Sequence, residues 1–146
     1  MIIRPATPED HPALAELFLA TRRETFYWIH SQTLEDFAEQ TAGEAIHVAE
    51  DEGGELLGFI SVWVEDQFIH HLFISPQHQR RGVGRALLED LAARLPGPFT
   101  LKCFTANTRA LSFYHALGWR DAGCGEVAEG SYLLLEWWPS RDSPAR

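Results

Sequence analysis

The densest cluster of anion-binding groups in the chain is Gln79-Arg80-Arg81-Gly82-Val83-Gly84-Arg85. It stands between an apolar run ending Leu72-Phe73-Ile74 and an amphipathic stretch whose Val83, Leu87, Leu88 and Leu91 share one helical face. The start of a helix exposes amides without internal partners and carries about half a positive charge. Such an end binds phosphate. Glycines at 82 and 84 let the backbone approach a ligand, and Arg80, Arg81 and Arg85 add positive charge. The plainer reading of Gly-x-Gly is a tight loop with solvated arginines. Two other nucleotide motifs fit badly. No Gly-Lys-Ser/Thr is present, so this is not a P-loop. A dinucleotide fingerprint would need glycine where Leu87 stands, and a βαβ context that is missing.

The rest of the chain makes these arginines a local exception. Over 146 residues, 12 Lys and Arg stand against 21 Asp and Glu, a net charge of −9. That balance argues against bulk nucleic-acid or anionic-membrane binding, which need a basic surface. No apolar run approaches the roughly 18–20 residues that span a bilayer. The composition, 45% hydrophobic and 23% charged, excludes disorder, collagen-like fibre and coiled coil. The length fits one domain, since two cores of half the size would each be marginal. That domain is expected over residues 1–138, with a polar tail at 139–146. Cys103 and Cys124 are too few for a disulfide framework and form no C-x-x-C pair. Both read as small buried residues, and neither zinc nor redox chemistry is indicated. No basic leader precedes an apolar core at the start. A soluble cytoplasmic protein is expected.

The elements that must position the cluster follow from periodicity and punctuation. Residues 1–5 read as a strand. Thr7-Pro8-Glu9-Asp10 opens a helix that Leu14, Leu17 and Phe18 carry to about Arg22. Ser31 or Thr33 opens a second helix, with Leu34, Phe37 and Ala38 on one face. Residues 46–49, 56–64 and 67–74 read as an antiparallel meander. Helix 82–95 is broken by Pro96-Gly97-Pro98; strand 99–104 and helix 108–117 follow, the latter capped by Gly118. Residues 119–124 and 131–138 close the chain as a hairpin. The fold expected is α/β (α+β), with a mixed, mainly antiparallel sheet flanked by helices in the order βααβββαβαββ.

Gln79-x-x-Gly82-x-Gly84, set between a strand and a helix, resembles the pyrophosphate-binding motif of the GNAT superfamily of acyl-CoA-dependent N-acetyltransferases. Asn107-x-x-Ala110-x-x-Phe113-Tyr114-x-x-Leu117-Gly118-Trp119 resembles the family's later segment. The order of elements is similar over nearly the whole chain. The resemblance implies a bulged strand that splays from its neighbour. The pantetheine arm of acetyl-CoA would lie in that gap against Leu72, Phe73 and Ile74. The pyrophosphate would sit on amides from Arg80 to Ala86, Val83 included. Asn107 would contact the pantetheine, and Phe113 would form the wall beside it.

Acetyl transfer to an amine needs a proton acceptor, a polarised thioester carbonyl and a protonated leaving thiol. An amine with pKa about 10.4 is neutral only about once in 10³ at pH 7. The resemblance makes Tyr114 the acid for the departing thiolate, against the reading of a core aromatic. An amide at Phe73 or Ile74 would stabilise the oxyanion. Some relatives carry a carboxylate where Phe68 stands; others resemble this chain in placing histidine at the position of His70. Imidazole suits a base near neutral pH. His70 is therefore the base or the anchor of a water wire, and His71, the next residue on a strand, should face away from the cleft. Lys102 stands where ribosomal-protein acetyltransferases have glutamate, which speaks against that substrate class.

Acceptor pockets in this family are built from the first two helices and the last hairpin. Tyr27 and Trp28 are the substrate candidates, with Glu24, Glu35 and Asp36 as attractors for an amine. Trp63, Trp137 and Trp138 read mainly as core, although an exposed member of the last pair on an edge strand would mark a homodimer surface. The activity implied is direct acetyl transfer from acetyl-CoA to a primary amine in a ternary complex, without metal. A CoA-binding sensor of the same fold is the alternative of another class, and a nucleic-acid binder using the three arginines is a third.

Overall fold

The computed structural model describes residues 1–27, 29 and 31–139. The expected C-terminal tail lies outside the described residues apart from Pro139. β1 (Ile2–Pro5) is followed by a 3-10 turn and α1 (His11–Thr25), and then by the short α2 (Asp36–Gln40). β2 (Ala45–Glu50), β3 (Leu56–Trp63) and β4 (Phe68–Ile74) form the meander. α3 (Val83–Arg94), β5 (Phe99–Phe104), α4 (Thr108–Ala116), β6 (Arg120–Val127) and β7 (Gly130–Trp137) complete the chain. The seven strands form one sheet in the order β1-β2-β3-β4-β5-β7-β6. Every pairing is antiparallel except β4 with β5.

Both faces of the sheet are covered, and alternate strand residues supply two cores. Phe59 and Val48 point to the α1–α2 side, where they meet Leu14, Phe18 and Phe37. Ile60, Val62 and Ala49 point to the other side, where they meet Leu87, Leu88 and Leu91 of α3. Six consecutive residues of β3 are therefore buried, from Leu57 to Val62, as two-sided cover requires. Each fully buried phenylalanine contributes on the order of 1.5–3 kcal/mol of transfer free energy.

Several element bounds differ from expectation for local reasons. Asp10 accepts from the Thr7 amide at 2.7 Å and from Arg4 at 2.8 Å, and the chain makes a 3-10 turn before α1 begins. The second helix is a single turn, because the Asp36 carboxylate folds back onto the Thr33 amide at 3.0 Å and closes a turn ahead of it. β6 runs to Val127, beyond the expected 124, and takes Gly123 and Gly125 into the ladder. Gly125 has no side chain to meet the Tyr132 ring opposite. β7 is interior and β6 is the edge, so the idea of Trp137-Trp138 as an edge-strand dimer mark is withdrawn: Trp137 is buried and the Trp138 indole donates to Glu136 at 2.7 Å. No helix among the described residues is long and apolar enough to cross a membrane.

Candidate active site

β4 and β5 pair only at Phe68 with Thr100 and then diverge. The gap widens toward α3 and α4 into a cleft of about 1200 Å³. Leu72, Phe73 and Ile74 form one wall, Leu101 to Phe104 the other, and Tyr114 and Phe113 close its side. The Ser75 amide donates to Leu57 of β3 at 2.8 Å. Strand alternation puts the Phe73 amide on that same side, so the amides of Leu72 and Ile74 face the gap. Of the two oxyanion donors expected, Ile74 is the one the backbone leaves open. Gly58 belongs to this arrangement, since a Cβ there would press against the Phe73 carbonyl at 2.7 Å.

At the wide end stands α3. Its N-cap residue is Gly82, at φ 80°, and no side chain caps the helix. That backbone conformation strains any residue with a Cβ. Arg80 is also left-handed, at φ 66°. Gln79, Arg80, Gly82, Val83 and Gly84 line the cleft. Gly84 serves packing: a Cβ there would stand 3.1 Å from the Phe113 ring. Ala86 corrects the expectation of free amides from 80 to 86, because its amide donates to the Gly82 carbonyl at 3.0 Å inside the helix. Arg81, Arg85 and Ala86 are not among the cleft-lining residues. Arg85 instead pairs with Glu89 at 3.2 Å, both well exposed. Arg109, which the motifs did not single out, lines the cleft and donates to Gln79 at 3.5 Å. Asn107 also lines it, while its side-chain oxygen caps α4 by accepting from the Ala110 amide at 3.2 Å.

At the narrow end the ladder between β3 and β4 slips. His71 pairs with Ser61 and Ile69 with Val62, so His70 is an extra residue on β4. This bulge corrects the expected opposition of the two histidines. Both line the cleft, with ring centroids 3.9 Å apart and stacked. His71 is buried and bonded through Nδ1 to Ser61 Oγ at 2.9 Å. Burial, with smaller effects from His70 and Arg22, lowers its pKa to about 3 and keeps it neutral. His70 is 39% exposed and bonds through Nδ1 to Glu44 at 2.5 Å. The ligating atoms of Glu44, His70 and His71 lie within 4.8 Å of one another, but the Nδ1 atoms of both histidines are engaged in hydrogen bonds. Glu44 and Ser61 escaped sequence reasoning, for neither lies in a motif.

Tyr114 is buried against Phe113 and Trp119, with centroids at 5.2 and 5.4 Å. Burial first, and then Cys103, raises its pKa, so the phenol is protonated and able to donate. Burial also pushes the Cys103 thiol up to about 11, which makes it a poor nucleophile. Cys124 is exposed, contrary to expectation, because it lies on the edge strand β6, where every residue except the half-buried Gly125 is exposed. On the acceptor side Tyr27 is 75% exposed and lines the cleft with Glu24 and Asp36. Asp36 is held by Arg22 at 3.4 Å. Glu35 is not among the lining residues. Trp28 lies outside the described residues.

The family model described as the acetyltransferase (GNAT) family matches residues 11–119, which span both motifs and the bulged strand. This chain belongs to the GNAT acetyltransferase family. It is an acyltransferase. Its sequence is 30% identical to the peptidyl-lysine N-acetyltransferase YiaC of Escherichia coli (strain K12) over 127 residues, 84% of this chain and 86% of that one. The fold is similar to apo YjaB of Escherichia coli, with a TM-score of 0.76 and 23% identity over 94% of this chain and 98% of that one. It is equally similar to the PaiA N-acetyltransferase of Thermoplasma acidophilum in complex with coenzyme A, with a TM-score of 0.76 and 18% identity over 94% and 98% of the two chains. The expected α/β architecture is therefore the family's own.

Proposed function

We propose that this GNAT acetyltransferase transfers an acetyl group from acetyl-CoA directly to a primary amine in a ternary complex. The observation that carries this reading is a single cleft with an uncapped helix start at one end and a protonated phenol and an accessible imidazole toward the other. The diphosphate would take the first amides of α3, with Arg80 beside them. The pantetheine would lie between β4 and β5, along Leu72 to Ile74, next to Asn107 and Phe113. The amine lone pair attacks the thioester carbon, and the Ile74 amide receives the oxyanion. The C–S bond then breaks and Tyr114 protonates the departing sulfur. His70 takes the proton that the amine loses, directly or through water.

The 30% identical relative is named for peptidyl-lysine, so a lysine side chain is the first acceptor to test. Glu24 and Asp36 line the cleft and suit an approaching ammonium group. Tyr27 offers a ring to the same cation. Two unpaired cysteines suit the cytoplasm. The reaction needs no metal. The test is a panel of lysine peptides, polyamines and small amines with acetyl-CoA, following free thiol. Acetylation of at least one amine is expected. Stabilisation by CoA with no turnover across the panel would favour a sensor over an enzyme.

A further inference from the structure

We infer that Glu44 is a positioning residue for His70: it fixes the imidazole's tautomer and aims its second nitrogen at the acceptor. This rests on the proposed acetyl transfer and goes beyond it. Glu44 sits in the turn that leads into β2, where its amide donates to Thr41 at 3.0 Å. Gly43, at φ 82°, leaves room for the Trp63 ring, which a Cβ would meet at 2.9 Å. The turn is thereby clamped, and it sends the Glu44 carboxylate under the β4 bulge.

That carboxylate is only 7% exposed. One oxygen, Oε2, contacts His70 Nδ1 at 2.5 Å. The other, Oε1, is buried without a hydrogen-bond partner. It lies 3.9 Å from Nδ1 of His71, which Ser61 already engages and which burial keeps neutral. Among the described residues no lysine or arginine forms an ion pair with Glu44. A buried carboxylate without a basic partner is unfavourable unless a donor compensates it. His70 is the donor available.

A carboxylate only accepts, so the Nδ1 of His70 must carry the hydrogen. The lone pair is then on Nε2. The ring is 39% exposed and lines the cleft, so Nε2 serves as the proton acceptor. When the amine gives its proton to Nε2, His70 becomes an imidazolium, and Glu44 balances its charge through Nδ1–H. The proton then passes to water from the exposed ring. The bulge makes this geometry possible, because regular alternation would have turned one of the two rings away.

The test uses the full chain, acetyl-CoA and the fastest amine of the panel above. Glu44→Gln keeps the shape but removes the charge. Its kcat should fall about 10- to 100-fold, while KM for acetyl-CoA and the thermal stabilisation by CoA stay unchanged. His70→Ala should fall at least as far, and the double variant no further, because the two act as one unit. In the wild-type protein, nitrogen-15 NMR should show His70 as the Nδ1–H tautomer, with a downfield Nδ1 proton that Glu44→Gln abolishes. Full activity in Glu44→Gln beside a crippled His70→Ala would overturn the positioning role and leave acetyl transfer standing. Full activity in His70→Ala would remove His70 as proton acceptor, and Glu44's role with it. If Glu44→Gln fails to fold, the wild-type tautomer decides: Nε2–H on His70 overturns the inference.

Discussion

At the α3 end of the cleft the exposed polar groups belong mainly to the backbone of an uncapped helix start, whereas at the β4 bulge they are side chains drawn from separate parts of the chain. The α3 end depends on one glycine φ and a run of helical amides within a few residues. The bulge end depends on Glu44, Ser61, His70 and His71, joined across the sheet by hydrogen bonds. The first is local and built mainly of backbone. The second is assembled from long-range contacts, with the Glu44 side chain and His71 buried and His70 open to the cleft.

Tyr114→Phe should have the largest effect, because the proposed mechanism has this phenol protonate the departing sulfur. We expect kcat to fall about 10²-fold or more while CoA still raises the melting temperature. Unchanged turnover would leave Tyr114 as packing alone. Gly82→Val comes next and acts on the other end. A β-branched residue at φ 80° costs on the order of 1–3 kcal/mol of strain. We expect CoA-induced stabilisation to shrink at least tenfold in affinity terms, with kcat at saturating acetyl-CoA little changed; calorimetric titration with CoA decides it.

A third expectation separates the two ends by pH. His71 has a pKa of about 3 in the fold against an ordinary 6.5, so the unfolded chain binds a proton that the native chain refuses between those values. Stability should therefore be full above about pH 6.5 and decline as pH falls toward 3. Asp10, held at about 2 by Arg4 against an ordinary 3.8, adds a further loss in that lower window. Urea midpoints across pH should follow this slope, and His71→Gln should flatten its upper part. Arg85→Ala should do least. Its side chain pairs with Glu89 outside the cleft, so KM for acetyl-CoA should change by less than about twofold. A tenfold rise would return Arg85 to the phosphate site.

The strand-to-helix turn at the α3 end was readable because its signals are local. Gln79, Gly82 and Gly84 are close neighbours, and the helix they start shows its own apolar stripe. Gly84, which lines the cleft, also makes room for Phe113, a contact no spacing reveals. Asn107, which lines the cleft, also caps α4 through its side-chain oxygen.

Local propensity and periodicity determined the element order and the strand-to-helix turn at Gly82, since each depends on neighbours within about two helical turns. Register and long-range approach were settled only when the chain folded. A one-residue slip between β3 and β4 reverses the face of every side chain beyond it, and that slip turned two adjacent histidines into one stacked pair. Glu44 reaches His70 across 26 positions, through a turn and a strand pairing that carry no motif. Its proximity is a consequence of packing, which depends on the whole sheet at once.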